Sequence, residues 1–216
     1  MSTRSMGATL VIGSLVAALI WLAGGSDYAR PRPFAGDHLG PHTGQTSAEY
    51  QQHADESLAA ALQRAPTSSA YAMLSLTTPL AAAEAGELFA DLQRVGTIIT
   101  HDGQILATPE PAASASRGEI FQTTLAAALA TALTDSARTD TAATDSARTG
   151  TTAVGSASAT TAVAPHDLPQ ISAVIAFESP ENLALLADNP AIATIEVLPA
   201  DAVWRQFGIS PPVAGV

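Results

Sequence analysis

The sequence predicts an α+β fold, a ferredoxin-like βαββαβ sheet with its helices on one face. Three observations support this. Side chains of residues 70–77 alternate between two faces, as in a strand, and residues 170–177 form a near-continuous apolar run. Asp102-Gly103 marks a tight hairpin turn. The predicted order is strand, helix, strand hairpin, inserted helix with a linker, strand, helix and strand. Without the insertion, this order is the split βαβ arrangement.

The first 26 residues predict a transmembrane helix. Residues 5–26 carry no formal charge, and at about 1.5 Å of rise per residue they are long enough to cross a hydrocarbon core of about 30 Å. We therefore expect a single-pass protein of the cell membrane, bound to it through residues 5–26, with its C-terminal domain outside the cytoplasm. The alternative is a signal peptide cleaved near Ala23-Gly24-Gly25, which would give a secreted protein.

Composition excludes several classes of function. The net charge is −11 and the sequence has no lysine, so we expect no nucleic-acid partner, since binding to phosphates depends on basic side chains. The absence of cysteine excludes disulfides and thiolate chemistry. We expect an envelope protein as the partner.

The region before the sheet divides into a spacer and a helix. Residues 27–46 are rich in proline and glycine and have no period, which is typical of a spacer between membrane and domain. A helix is predicted from Ser47 to Ala65, where Pro66 follows. Its apolar side carries five residues: Tyr50, Ala54, Leu58, Ala61 and Leu62.

Residues 47–108 contain this helix and the first half of the α+β domain. On the strand 70–77, alternation places Ala72, Leu74 and Leu76 on one face and Tyr71, Met73 and Ser75 on the other. Thr78-Pro79 predicts the start of a second helix, which ends at Gly96. The hairpin pairs residues 97–100 with residues 104–106.

Residues 109–169 are interpreted as an insertion. Residues 119–133 predict a helix rich in alanine and leucine, followed by two copies of a decapeptide that begin at Thr134 and Thr144. Because residues 134–167 contain little apolar surface to bury, we predict that they are disordered, an Ala/Thr/Ser linker.

Residues 170–216 form the second half of the domain and a Pro-rich tail. The strand 170–177 reads as a central strand because it is apolar on both sides. Ser179-Pro180 begins a short helix with Leu183, Leu185 and Leu186 facing inward, and residues 191–198 are the last strand. The tail is expected to pack across the domain.

The segment ENLALLADNPAIATIEVLPAD, residues 181–201, resembles the closing helix and strand of the subtilisin propeptide and inhibitor family, with AYAMLSLTTPL, residues 70–80, as the opening strand. The element order also resembles that of uncharacterised actinobacterial membrane-anchored proteins. The resemblance implies a ferredoxin-like fold and suggests a protease inhibitor or a folding assistant.

Candidate sites are few. The residues Trp204, Arg205 and Phe207 form a possible interaction surface, although aromatic residues in a tail can instead anchor it to the core. We predict no catalytic residue, no cofactor and no metal site.

Several polar residues were weighed as ligands or acid–base groups. Asp37, His38 and His42 have metal-binding side chains, but their place in a spacer favours a solvated loop. Glu84 and Glu87 are explained by the helix dipole. The pairs His101-Asp102 and His166-Asp167 are expected in a hairpin tip and beside a linker, respectively.

The sequence therefore predicts a non-catalytic protein-interaction domain. A propeptide-like inhibitor or folding assistant is the alternative, and a carboxylate-based hydrolase is the third interpretation.

Overall fold

Seven strands and four helices make up the part of the chain that the computed structural model describes, residues 36–112, 114–145 and 168–212. The predicted membrane segment, residues 5–26, lies outside this part. Within it, no helix combines the length and apolarity that a membrane span requires. In chain order the elements are β1 (His38–Leu39), α1 (Ser47–Arg64), β2 (Ala70–Leu80), α2 (Ala82–Leu88), β3 (Arg94–Thr100), β4 (Ile105–Ala107), α3 (Arg117–Asp145), β5 (Ile171–Glu178), α4 (Pro180–Ala187), β6 (Ile192–Val197) and β7 (Gly208–Ile209).

Five of the strands form one sheet in the order β4-β3-β5-β2-β6, and every neighbouring pair is antiparallel. The α+β class predicted from the sequence is therefore confirmed. The apolar strand β5 lies in the middle, as its lack of alternation predicts. The hairpin at Asp102-Gly103 is also present, joining β3 to the edge strand β4.

One side of the sheet, here called the helix face, is covered by α2, α3 and α4. The residues that alternation places on one face of β2, Ala72, Leu74 and Leu76, lie in this core together with Phe89 and Phe121. Helices α2 and α3 meet at glycines, since a Cβ on Gly86 would lie 2.3 Å from the Cα of Gly118. This contact brings the two backbones close together and helps to hold α3 on the sheet.

The opposite side, here called the terminal face, is covered by the two described ends of the domain. Strands β1 and β7 pair with each other, in parallel, outside the main sheet. Leu39 from β1, Phe207 before β7 and Tyr50 from α1 pack with Met73 and Ile175 of the sheet. Helix α1 runs beside the edge strand β6, where the Ser57 hydroxyl accepts a hydrogen bond from the Val197 N–H at 2.9 Å.

The interpretation of residues 27–46 as a spacer is wrong for its described end. His38 and Leu39 form a strand, and Leu39 is fully buried. Pairing with β7, far away in the chain, orders this stretch in spite of its glycine and proline content. Only the residues before it remain a predicted spacer.

The predicted start of the second helix at Thr78-Pro79 is wrong. Strand β2 continues to Leu80, and α2 begins at Ala82, where the Glu84 carboxylate accepts a hydrogen bond from the Ala81 N–H at 3.1 Å. The end of this helix was also misplaced, because Val95 and Gly96 belong to β3 and Val95 is the register partner of Ala176 in β5. Sheet pairing overrides the local helical pattern here.

Two further expectations fail in the inserted helix and in α4. Helix α3 continues to Asp145 through the first decapeptide, so the prediction of disorder is wrong for residues 134–145. Eight of these twelve residues are Thr, Asp or Ser, which have low helix propensity. The extension adds turns to a helix that has already formed, so it does not carry the cost of nucleation. The rest of the linker, residues 146–167, lies outside the described residues. In α4, Leu183 is buried, but Leu185 points outward and is 77% exposed.

Candidate functional site

The predicted interaction residues Trp204, Arg205 and Phe207 lie on the terminal face and differ in exposure. Phe207 is buried, with its ring centroid 5.7 Å from that of Trp204 and 5.4 Å from that of Tyr71. For Phe207 the anchoring interpretation is therefore the one that fits. Trp204 is half-buried and Arg205 is exposed.

The accessible residues of the tail form a small surface that we call the tail patch: Val203, Trp204 and Arg205. Val203 is 48% exposed, and Trp204 rests on the Tyr71 ring at a centroid distance of 5.3 Å. Arg205 has a φ of +66°, the only positive value among the described non-glycine residues. A non-glycine residue in this region costs on the order of 1–3 kcal/mol, and such strain is concentrated at binding sites and switch regions.

A second site surrounds Glu196, a carboxylate that is only 2% exposed. Its Oε2 accepts hydrogen bonds from the Gly40 N–H at 2.6 Å and from the Tyr50 hydroxyl at 3.1 Å. Its Oε1 lies 3.4 Å from Nε2 of His53. Glu196 thereby joins the segment after the spacer, helix α1 and strand β6 at one point.

Burial dominates the electrostatics of this site. It raises the pKa of Glu196, while the Gly40 N–H, the Tyr50 hydroxyl and the charges of His53 and His38 act in the opposite direction. Burial, together with the nearby Glu196 charge, also raises the pKa of Tyr50 well above its ordinary value. The site therefore favours the protonated forms of both groups more than water does.

Three of the five histidines lie around this carboxylate. The rings of His38 and His42 stack at a centroid distance of 4.8 Å, and His42 and His53 are 6.5 Å apart. All three line an open cavity of about 420 Å³ that Glu196 also borders. In the described part of the chain, no three or more acidic or histidine side chains are arranged to hold a metal ion.

The solvated-loop interpretation of Asp37, His38 and His42 is wrong for His38. This residue lies in β1, and its Nε2 is 3.0 Å from the Ser210 hydroxyl. Sequence reasoning also missed Glu196 as a site residue. The available signal was that Glu196 is the one charged residue in the predicted strand 191–198, since a buried charge needs polar partners.

The remaining candidates stay apart from these sites. Glu84 caps α2 and Glu87 is exposed on the same helix. His101 is exposed at the hairpin tip, where Asp102 accepts a hydrogen bond from the Thr100 hydroxyl that lowers the Asp102 pKa. The pair His166-Asp167 lies outside the described residues.

Comparisons with models of protein families, with curated proteins and with solved structures found no match. The geometry of the terminal face therefore carries the argument about function.

Proposed function

We propose that this chain is a single-pass, membrane-anchored protein whose extracytoplasmic domain binds another envelope protein without catalysing a reaction. Residues 5–26 provide the membrane segment. The observation that carries the binding role is the tail patch, where a half-buried tryptophan stands next to an exposed arginine in a strained conformation. Tryptophan and arginine are the residues most enriched at the energetic centres of protein interfaces.

The sheet supports the finer ferredoxin-like assignment within this proposal. Read from the other edge, the strands lie in the order β6-β2-β5-β3, followed by the added edge strand β4. In this order the two helical connections, β2 to β3 and β5 to β6, each pass over one intervening strand. This arrangement supports the split βαβ pattern, with β4 as an addition to it.

The edges of the sheet are less suitable for a partner than the tail patch. Helix α1 runs along β6, and Ser57 accepts a hydrogen bond from the outward Val197 N–H. The other edge, β4, is three residues long. An added peptide strand would gain few backbone hydrogen bonds there.

Glu196 supports a structural role for the buried polar groups. Its oxygens are occupied by Gly40, Tyr50 and His53, and these contacts hold the spacer end of the chain against the domain. The proposed role of this site is to hold the segment around Gly40 on α1 and β6.

Photo-crosslinking in intact membranes tests the binding role. A crosslinking residue at exposed position Val203 should capture one envelope protein, and Trp204→Ala should remove that product. The captured protein, once purified, should bind the full chain in detergent, and Trp204→Ala should weaken binding by at least about tenfold. Leu185→Ala is the matched control, because Leu185 is 77% exposed on the far side of the sheet. Equal binding by both variants would refute the proposal that the tail patch binds the partner.

Topology needs its own test. Protease added outside intact cells should digest the domain, and fractionation should recover the full-length chain with membranes. Recovery of the full-length chain in the cytosol would refute membrane anchoring.

The propeptide-like role is a second candidate, favoured by the strand order alone. The chain after β6 turns back and pairs through β7 with β1, so the described tail is held by the domain. Inhibition of subtilisin-like proteases by the full chain at micromolar concentration would support this role, and the absence of inhibition would remove it.

A further inference from the structure

A cavity of about 160 Å³ opens on the terminal face where β2 leaves the sheet. Its floor contains Ser75 of β2 and Thr194 of β6, which are register partners. Opposite residues on one sheet face have Cβ atoms about 4.5–5.5 Å apart, so the two hydroxyls form one polar spot. Tyr50, whose hydroxyl donates to Glu196, forms the adjacent wall.

Neither hydroxyl has a well-formed hydrogen bond among the described residues. Ser75 is 5% exposed, and its Oγ and the buried Oγ1 of Thr194 reach no described partner at hydrogen-bond distance and angle. The Tyr50 hydroxyl interacts with both of them, but it donates its proton to Glu196. A buried polar group without a partner destabilises the folded state, so a native protein with two of them at one place calls for an explanation. A bound ligand that supplies the missing partners provides one.

The strand geometry singles out the same place. The pairing of β2 with β6 shifts between Ser75 and Leu76, and its pairing with β5 shifts between Ser75 and Leu80. Residues beyond Ser75 therefore leave the regular sheet and form a wall of the cavity. Such irregularities are over-represented next to active sites, where they redirect side chains.

The lining defines the chemistry of the occupant. None of the described residues that line the cavity carries a formal charge, although the net charge of the chain is −11. The side-chain amide of Gln51 adds groups that both donate and accept, and Pro79 and Pro212 add apolar lining, whereas the Thr46 hydroxyl is engaged with Glu49 as the N-cap of α1. The volume is below the about 300–1,000 Å³ of sites for drug-sized ligands.

We propose that this cavity binds one neutral sugar ring, with the Ser75 and Thr194 hydroxyls as its polar anchors. Sugar hydroxyls both donate and accept hydrogen bonds, as these anchors require, and the C–H faces of the ring match the proline walls. The proposal does not use the tail patch, so it stands or fails independently of the proposed protein partner.

Calorimetry and saturation-transfer NMR on the full chain in detergent test the proposal. The neutral probes are glucose and N-acetylglucosamine, and the charged counterparts are glucosamine and glucuronate. We expect a neutral probe to bind and both charged probes to bind at least tenfold more weakly, a difference of about 1.4 kcal/mol. Preferred binding of a charged sugar would overturn the proposal. An absence of any binding would overturn it too, and would indicate a cavity that holds only water.

The variants Ser75→Ala and Thr194→Val test the anchors. Each should weaken sugar binding, and the double variant should weaken it at least tenfold. Because neither hydroxyl makes a well-formed hydrogen bond with a described residue, the melting temperature should stay the same or rise, a result that a structural role would not produce. Thr97→Val, at a 2% exposed threonine of β3 outside the cavity, should leave binding unchanged. If one single variant does not fold, the other still decides the question, and unchanged binding in it would overturn the proposal.

Discussion

The two faces of the sheet differ in what covers them and in the role of their buried polar groups. On the helix face, α2, α3 and α4 bury Phe89, Phe121, Leu125 and Leu183 to 1% exposure or less. On the terminal face, the cover consists of two short strands, the tail and Tyr50 of α1, while Leu58 and Ala61 of α1 pack on the helix face. The candidate sites described above all lie on this less regular face.

Two buried glutamates, Glu178 and Glu196, illustrate this difference through the direction of their pKa shifts. Glu178, at the end of β5 beside α4, is 3% exposed, and burial alone would raise its pKa. The N–H groups of Gln93 and Ser179 and the side-chain amide of Asn182 outweigh burial and lower the pKa. For Glu196, burial prevails and the pKa is raised. The number of fixed N–H donors therefore determines the direction of the pKa shift. At Glu178 the N–H donors outweigh burial, and at Glu196 they do not.

The largest expected effect tests whether the helix face carries most of the stability. Phe89→Ala should lower the free energy of unfolding by about 3–5 kcal/mol, because it leaves a cavity in a closely packed core. Phe207→Ala removes an equal side chain from the terminal face, where the thin cover can collapse, so its cost should be smaller by at least about 1 kcal/mol. Urea unfolding of the full chain in detergent measures both. Equal losses would contradict the distinction between the faces.

Much of the helix face could be predicted from the sequence, because its signals are local. Alternation in β2 grouped Ala72, Leu74 and Leu76 on one face, which the structure places in the helix-face core, and Ser179-Pro180 placed the start of α4, where Ser179 is the N-cap. The inserted helix was predicted from its alanine and leucine content, and Leu125 lies in the core, although the end of the helix was placed too early. Each of these features depends on residues within one or two turns of each other.

The terminal face could not be predicted, because its contacts join distant parts of the chain. Nothing around His38 indicates that it pairs with Gly208, and a glycine-rich stretch before a helix is more typical of a linker. The Glu196 site combines Gly40, Tyr50 and His53, whose positions become related only after α1 packs on β6. Pattern reasoning identified Trp204 and Arg205, but it could not determine which aromatic residue is buried.

The second largest effect tests the pairing of β1 with β7 on the terminal face. Gly40 has a φ of +99°, and a Cβ there would lie 1.9 Å from the backbone oxygen of Ser210. Gly40→Ala should therefore separate β1 from β7 and break the Gly40–Glu196 hydrogen bond, at a cost of about 1–3 kcal/mol for the backbone conformation and more for the clash. Hydrogen exchange should show lost protection at residues 38–40 and 208–210.

Gly44→Ala is the matched control for this variant. Gly44 has a φ of +83° with nothing within 4 Å of the added Cβ, so Gly44→Ala carries the conformational strain without the clash. Protection of β1 and β7 should persist in it. Equal loss of protection in both variants would mean that strain alone, and not the close approach to Ser210, controls the closure.

The smallest effect concerns pH and sharpens the contrast between the two glutamates. Because the pKa of Glu196 is raised in the folded state, its contribution to stability is complete below the ordinary value of 4.5 and is lost as pH rises through the folded value. Glu196→Gln keeps an acceptor for Gly40 and Tyr50 but cannot ionise, so its stability should fall less steeply over that range.

Glu178→Gln should behave in the opposite way. The lowered pKa of Glu178 contributes stability above the ordinary value of 4.5, and this contribution is lost as pH falls through the folded value. The variant should therefore be less stable than the native chain at neutral pH and should lose less stability on acidification. Urea unfolding from acid to neutral pH measures both profiles, with His53→Gln separating the effect of the imidazole beside Glu196. If both variants changed the pH dependence of stability in the same direction, fixed donors would not distinguish the two carboxylates. The contrast between the faces would then rest on packing alone.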